Sequence, residues 1–137
     1  MMYYRFSNST NPMSDWGHAM FSDNADKVEH YGAYKFVFDG VNAVAIDSLY
    51  DTIINYWTNC QESGNFGDMC DSYFENLAAE DVFTAFNPAD IVNSADGWDS
   101  ALVGWFWEFV AEPNNIMAIT TQDGAIVFDS SLIVKED

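Results

Sequence analysis

Residues 116–128 read Ile116-Met117-Ala118-Ile119-Thr120-Thr121-Gln122-Asp123-Gly124-Ala125-Ile126-Val127-Phe128. Two apolar, β-prone runs, Ile116 to Thr121 and Ala125 to Phe128, flank the turn-forming step Gln122-Asp123-Gly124, which predicts paired strands. Asp129-Ser130 is a second turn, before a last strand over Leu132 to Lys135. At the other end, Met1 to Phe6 is short and aromatic and predicts a first strand, followed by a loop from Ser7 to Trp16 around Pro12. Strands at both ends with helices between them predict an α+β domain whose terminal strands form the sheet.

Between these ends the pattern changes period. Ala19 to Phe21 is a short extended piece, and Ser22 is placed to cap a turn over Asp23 to Asp26 that Gly32 closes after Tyr31. Ala33 to Phe38 has high β-propensity, and Asp39-Gly40 is a hairpin-type dipeptide before Val41 to Ile46. Asp47 then caps a helix with Leu49, Tyr50, Ile53, Ile54 and Trp57 on one face, which Gln61 to Gly67 ends. A further helix is expected near Asp68 to Ala79 with Tyr73, Phe74 and Leu77 inward. Asn87-Pro88 marks a turn before Ile91-Val92. Asp96 to Ala111 predicts another helix, with Trp98, Leu102, Trp105, Phe106 and Phe109 inward. No repeat and no linker rich in Pro, Gly or Ser divides the chain, so one domain over 1–137 is expected.

The charge balance is one-sided: 22 acidic residues face 4 basic ones, a formal net charge of −18. With 49% apolar and 17% aromatic residues, the chain has enough to bury for a globular fold, unlike disordered acidic chains. Gripping a phosphate backbone needs clustered cations to displace counterions, and Arg5, Lys27, Lys35 and Lys135 are all there are. Direct nucleic-acid binding and attraction to anionic membranes are therefore not expected. The negative surface leaves three roles open: solubility, a basic protein partner, and mimicry of nucleic acid toward a protein that binds it.

No apolar run approaches membrane-spanning length and no signal-peptide pattern opens the chain, so a cytoplasmic protein is expected. Cys60 and Cys70 lack zinc-ligand spacing and are expected as free thiols. Asp15 with His18, and Asp26 with His30, are the nearest approach to ligand pairs, and no metal site is assigned to them. Gly-x-Ser-x-Gly turns and phosphate-binding Gly-rich loops are absent.

One ordered set remains: Tyr4-Arg5-Phe6-Ser7 in the first strand, Trp16-Gly17-His18-Ala19-Met20-Phe21-Ser22 leading to Tyr31-Gly32, and Gln122-Asp123-Gly124 opening a late strand. In this order the sequence resembles the ADP-ribosyltransferase fold, especially the small phage-type mono-ADP-ribosyltransferases, among them an ADP-ribosylating anti-CRISPR protein. The resemblance is loose from about Asp47 to Asn87. It implies NAD as substrate, anchored by Arg5, with Phe21, Ser22 and Tyr31 around the nicotinamide. Asp123 stands where the family usually has Glu and would stabilise the ribose cation as nicotinamide leaves. The implied function is ADP-ribosylation of a basic protein target in a bacterial cytoplasm, as a phage-encoded inhibitor of host defence. The alternative is a non-catalytic acidic inhibitor that blocks a nucleic-acid-binding protein by mimicry. The site also requires the first strand to lie beside the strand beginning at Ala125.

Overall fold

The computed structural model describes residues 1–13, 17–67, 75–86 and 100–136, the side chains of Ser100 and Ala101 excepted. The expected α+β class is what forms: one mixed sheet of seven strands, with four helices among the described residues. The strands are β1 (Tyr3–Ser7), β2 (Ala19–Ser22), β3 (Tyr34–Phe38), β4 (Val44–Ala45), β5 (Ala118–Thr120), β6 (Gly124–Val127) and β7 (Val134–Glu136). The helices are α1 (Ala25–Val28), α2 (Tyr50–Ser63), α3 (Ala79–Phe86) and α4 (Ser100–Phe106). Across the sheet the order is β4-β5-β6-β2-β1-β3-β7. Among the described strands only β4 and β5 pair in parallel.

Because side chains alternate along a strand and cross-strand partners share a face, the registers sort the sheet into two sides. Ile119, Ile126 and Met20 lie in one cross-strand row and pack with the helices. The row Ala118, Val127 and Ala19 faces the other way, into a second cluster with Tyr3, Phe21, Phe36, Phe38 and Ala125.

The first side is a helix-covered core. α2 buries Ile53, Trp57 and Cys60, at i, i+4 and i+7, the stripe its periodicity predicts. The indoles of Trp57 and Trp105 meet edge to face, 4.8 Å apart at 82°. Both indole N–H groups are satisfied, Trp57 Nε1 donating to the Leu77 carbonyl at 2.8 Å and Trp105 Nε1 to Cys60 Sγ at 3.4 Å. Such pairing removes the penalty of burying a polar donor. α2 ends at Gly64, whose φ of 68° is the left-handed cap that glycine accepts without a Cβ penalty.

α4 runs on into a π-helical turn, Trp107–Ala111. Glu112 and Ile116 donate five residues back, to the carbonyls of Trp107 and Ala111, each at 2.8 Å. The expected helix over Asp96 to Ala111 thus changes pitch at its end, with Leu102, Trp105 and Phe106 buried as expected. Trp98 lies outside the described residues, as do Tyr73, Phe74, Cys70 and the turn at Asn87-Pro88. Of the helix expected over Asp68 to Ala79, only the final residues are described. Helix α3 begins at Ala79, where that segment was expected to end.

The second side is covered by irregular chain. Met13, Ala43, Leu132 and Ile133 pack on it. Leu132 and Ile133 belong to the connection from β6 to β7, which must pass β2, β1 and β3 to reach the edge. Asp129 Oδ1 accepts the Ser131 N–H at 2.9 Å and fixes the start of this crossing.

Three expectations about connections are corrected. Asp39-Gly40 does not make a hairpin: β3 is flanked by β1 and β7, so the chain leaves for the opposite edge and pairs Val44 with Ile119. Ser22 is not the cap of α1. Its extended backbone still pairs with Gly124, and Asn24 caps instead, its Oδ1 accepting the Asp26 N–H at 3.0 Å. Gly32 is needed for close approach rather than for a left-handed turn. Its φ is 174°, and a Cβ there would collide with the Ser7 carbonyl carbon and the Asn8 nitrogen.

Candidate functional site

Arg5 stands in the middle of β1, in register with Phe36 of β3. The Tyr4–Ser22 register sets it opposite Phe21 of β2, so it rises on the side covered by irregular chain. Its Nη1 donates to the Met20 carbonyl at 3.3 Å. Its Nε is enclosed and has no hydrogen-bond partner among the described residues. Burial pulls the guanidinium pKa below its ordinary value, since a low-dielectric surrounding disfavours the charged form.

His18 is the neighbour that sequence reasoning did not assign to Arg5. It is 6% exposed, and its pKa is pushed down first by burial and then by the positive charge of Arg5. The available signal was its place directly before Ala19, the first residue of the strand that pairs with Arg5's own. Asp15, its expected companion, lies outside the described residues. Among the described residues no three His, Cys, Asp or Glu side chains form a group that could hold a metal ion.

Asp123 lies half-buried in the β5–β6 connection, and its carbonyl accepts the Asp23 N–H at 3.0 Å, carrying the β2–β6 ladder one step further. The expected adjacency of β1 with the strand from Ala125 is not what forms: β2 lies between β1 and β6. β6 takes β2 and β5 as its two neighbours, so no edge of it is left for β1. Two strand spacings and a two-residue offset put the Arg5 and Asp123 Cα atoms about 12 Å apart on one side of the sheet. On that side Asp23 adds negative charge near Asp123, and it helps burial raise the Tyr3 pKa.

The remaining candidates are placed differently. Phe21 is 1% exposed and packs tilted against Phe38, ring centroids 6.2 Å apart. Ser22 is also buried, and its Oγ accepts the Asn24 N–H at 3.1 Å. Tyr31 is 45% exposed, its ring tilted against that of His30 with centroids 4.2 Å apart. Gly32 seats it against Ser7, at the end of β1 away from Tyr3 and Asp123. Arg5 and Asp123 therefore share a side, Phe21 lies enclosed beneath, and Tyr31 stands apart.

The other cations of the sheet already have partners. Lys35 pairs with Glu136 at 3.2 Å and lies over the Tyr4 ring, and Lys135 lies 4.8 Å over the Tyr34 ring. The carboxylates are distributed differently. Asp47, Asp51 and Glu62, on and before α2, are exposed, as are Glu80 and Asp81 of α3. Lys35–Glu136 is the one ion pair among the described residues.

No family model matches the chain, and neither a curated protein nor a solved structure is significantly similar to it. Among the described residues, no helix is long and apolar enough to cross a membrane.

Proposed function

We propose that this chain is a non-catalytic acidic inhibitor that binds a basic, nucleic-acid-binding protein and occupies the surface that phosphates would take. The observation that carries this is the charge itself: a net −18, with Asp51, Glu62, Glu80 and Asp81 exposed on helices and Lys35–Glu136 the one ion pair among the described residues. Folding leaves these helix carboxylates in solvent. The inward face of α2 is given to Ile53, Trp57 and Cys60, which turns Asp51 and Glu62 outward on a rigid element. A field of this size steers a cationic partner and raises its association rate by about 10–10³ at low salt.

The test is competition between this chain and duplex DNA for a basic nucleic-acid-binding protein, repeated over a range of salt. Affinity is expected to fall at least tenfold between about 50 and 200 mM salt, as multiple charge contacts require. Displacement of DNA should weaken in the triple variant Asp47→Lys, Asp51→Lys, Glu62→Lys. Affinity indifferent to salt would sink the proposal.

A second function, transfer of ADP-ribose from NAD to a protein, retains in its support only that Arg5 and Asp123 share one side of the sheet. β2 separates β1 from β6, where that site required the two strands to be adjacent. The free edge of Arg5 suits a pyrophosphate oxygen, and the carboxylate of Asp123 has the sign needed beside a ribose cation. The enclosed Phe21 and the distant Tyr31 do not surround that carboxylate here. Labelled NAD and a candidate target decide it: transfer that disappears in Asp123→Ala supports the enzyme, and absence of NAD binding removes it.

A further inference from the structure

The cations of this chain are not spread through it. From Phe36 to Val134 the sequence has no lysine or arginine, yet that stretch holds every acidic residue except Asp15, Asp23, Asp26, Glu29, Glu136 and Asp137. Folding keeps the division in space. Arg5, Lys35 and Lys135 lie on β1, β3 and β7, neighbours at one end of the sheet, and Lys27 lies on α1, the short helix against β1. There Lys35 meets Glu136 at 3.2 Å, and Lys27 shares α1 with Asp26. The helix-covered side has no such compensation. Asp51, Glu62, Glu80, Asp81 and Glu112 are exposed on it, and none of α2, α3, α4 and the π-helical turn has a basic residue in its last turn. The C-terminal end of a helix is where a cation stabilises it. In α2 that place is taken by Glu62, and Glu112 directly follows the π-helical turn. These helices are held to the sheet chiefly by apolar packing, with Trp57, Phe86, Trp105 and Phe106 fully buried.

Like charges on one surface without counter-charges oppose compaction, and the opposition grows as screening weakens. The Debye length is about 30 Å at 10 mM salt, long enough to couple carboxylates across a whole domain, and about 8 Å at 150 mM. We infer that the helix-covered side of the sheet is an ionic-strength switch: α2, α3 and α4 close fully on the sheet only when mobile cations gather over them, while β1, β3 and β7 stay paired at low salt. The switch belongs to the fold itself and does not require the chain to bind a basic partner.

Thermal unfolding and amide hydrogen exchange of the full chain, at fixed pH in sodium chloride from about 10 to 300 mM, test it. The thermal midpoint is expected to rise by about 5 °C or more, most steeply below about 100 mM. Exchange in α2 and α3 should slow by about fivefold or more over that range, and exchange in β1 and β3 by less than about twofold. Potassium and caesium chloride should trace the same curve, because screening depends on ionic strength and not on the identity of the ion. Glu62→Lys, at the end of α2, should raise the low-salt midpoint and flatten the curve. Glu29→Lys makes the same change in net charge beside Lys27 and should flatten it less. A midpoint that stays level or falls with salt, or protection gained equally in α2 and β1, overturns the switch. So does a rise that begins only toward molar salt and is larger for sulfate at equal ionic strength, the ordinary effect of excluded salts.

Discussion

The two sides of the sheet are closed by different means. One is roofed by helices whose aromatic rings interlock, Trp57 on Trp105 and Phe86 on Phe106, both pairs at 4.8 Å. The other is closed by single residues from three irregular segments, Met13, Ala43, and Leu132 with Ile133. Among the described residues the first side buries no Asp, Glu, Lys or Arg. The second accommodates an enclosed guanidinium and a buried imidazole. A regular helical roof can be filled with apolar area alone, whereas a cover of irregular segments leaves room at its margin for polar groups and brings free backbone carbonyls, such as that of Met20, within their reach.

The largest expected effect lies on the helical side. Trp105→Ala removes a fully buried indole from a roof that cannot collapse around the gap, and should cost about 3–5 kcal/mol in urea denaturation. That is a large part of the stability of a domain this size. Phe36→Ala, on the other side, should cost less, about 2–3 kcal/mol, because irregular cover relaxes into a cavity more readily. Equal losses at the two positions would break the contrast.

Gly32→Ala probes the join between the α1 connection and β1. The added methyl meets backbone, and separating β1 from that segment should cost about 1–3 kcal/mol by the same measurement. Asn24→Ala, which removes only the cap of α1, should cost about 1 kcal/mol.

The smallest effect is on pH dependence, and it belongs to the second side alone. The His18 pKa is lower folded than unfolded, so below about pH 6.5 the unfolded chain binds a proton that the native state refuses. Its contribution is fully present above that pH. It declines as the pH falls toward the folded value, with a slope of at most about 1.4 kcal/mol per pH unit. Unfolding midpoints between pH 7.5 and 5.5 should show this decline, and His18→Asn should flatten it.

The elements were more legible than their pairing. The runs around Tyr4, Phe36, Ile119 and Ile126 announced strands, and the spacing of Ile53 and Trp57 announced α2, because alternation and helical periodicity are local properties. Partners are not local. Asp39-Gly40 has the chemistry of a hairpin, and what removed it was β7, almost a hundred residues later, taking the free edge of β3. The same limit applied to the candidate site. That Arg5 and Asp123 share a side follows from two registers, and so does the presence of β2 between them. His18 could be noticed as a histidine but not as the neighbour of Arg5, since that depends on how β2 is set against β1. The cap at Asn24 was missed because Ser22 is an equally good capping residue until its pairing with Gly124 is known.

β6 is the only link between β4-β5 and β2-β1-β3-β7, and this has a consequence for the order of assembly. During synthesis, β1, β2 and β3 can zip together as soon as residue 38 is available, yet β2 keeps an open edge until residues 124–127 emerge. The sheet's two parts are thus made early and late and are sutured by a four-residue strand between them. Contacts of such long sequence separation fold slowly, and an unpaired strand edge is the feature most exposed to wrong partners while it waits. For a nascent chain in that condition, mutual repulsion among like-charged copies is a protection against aggregation.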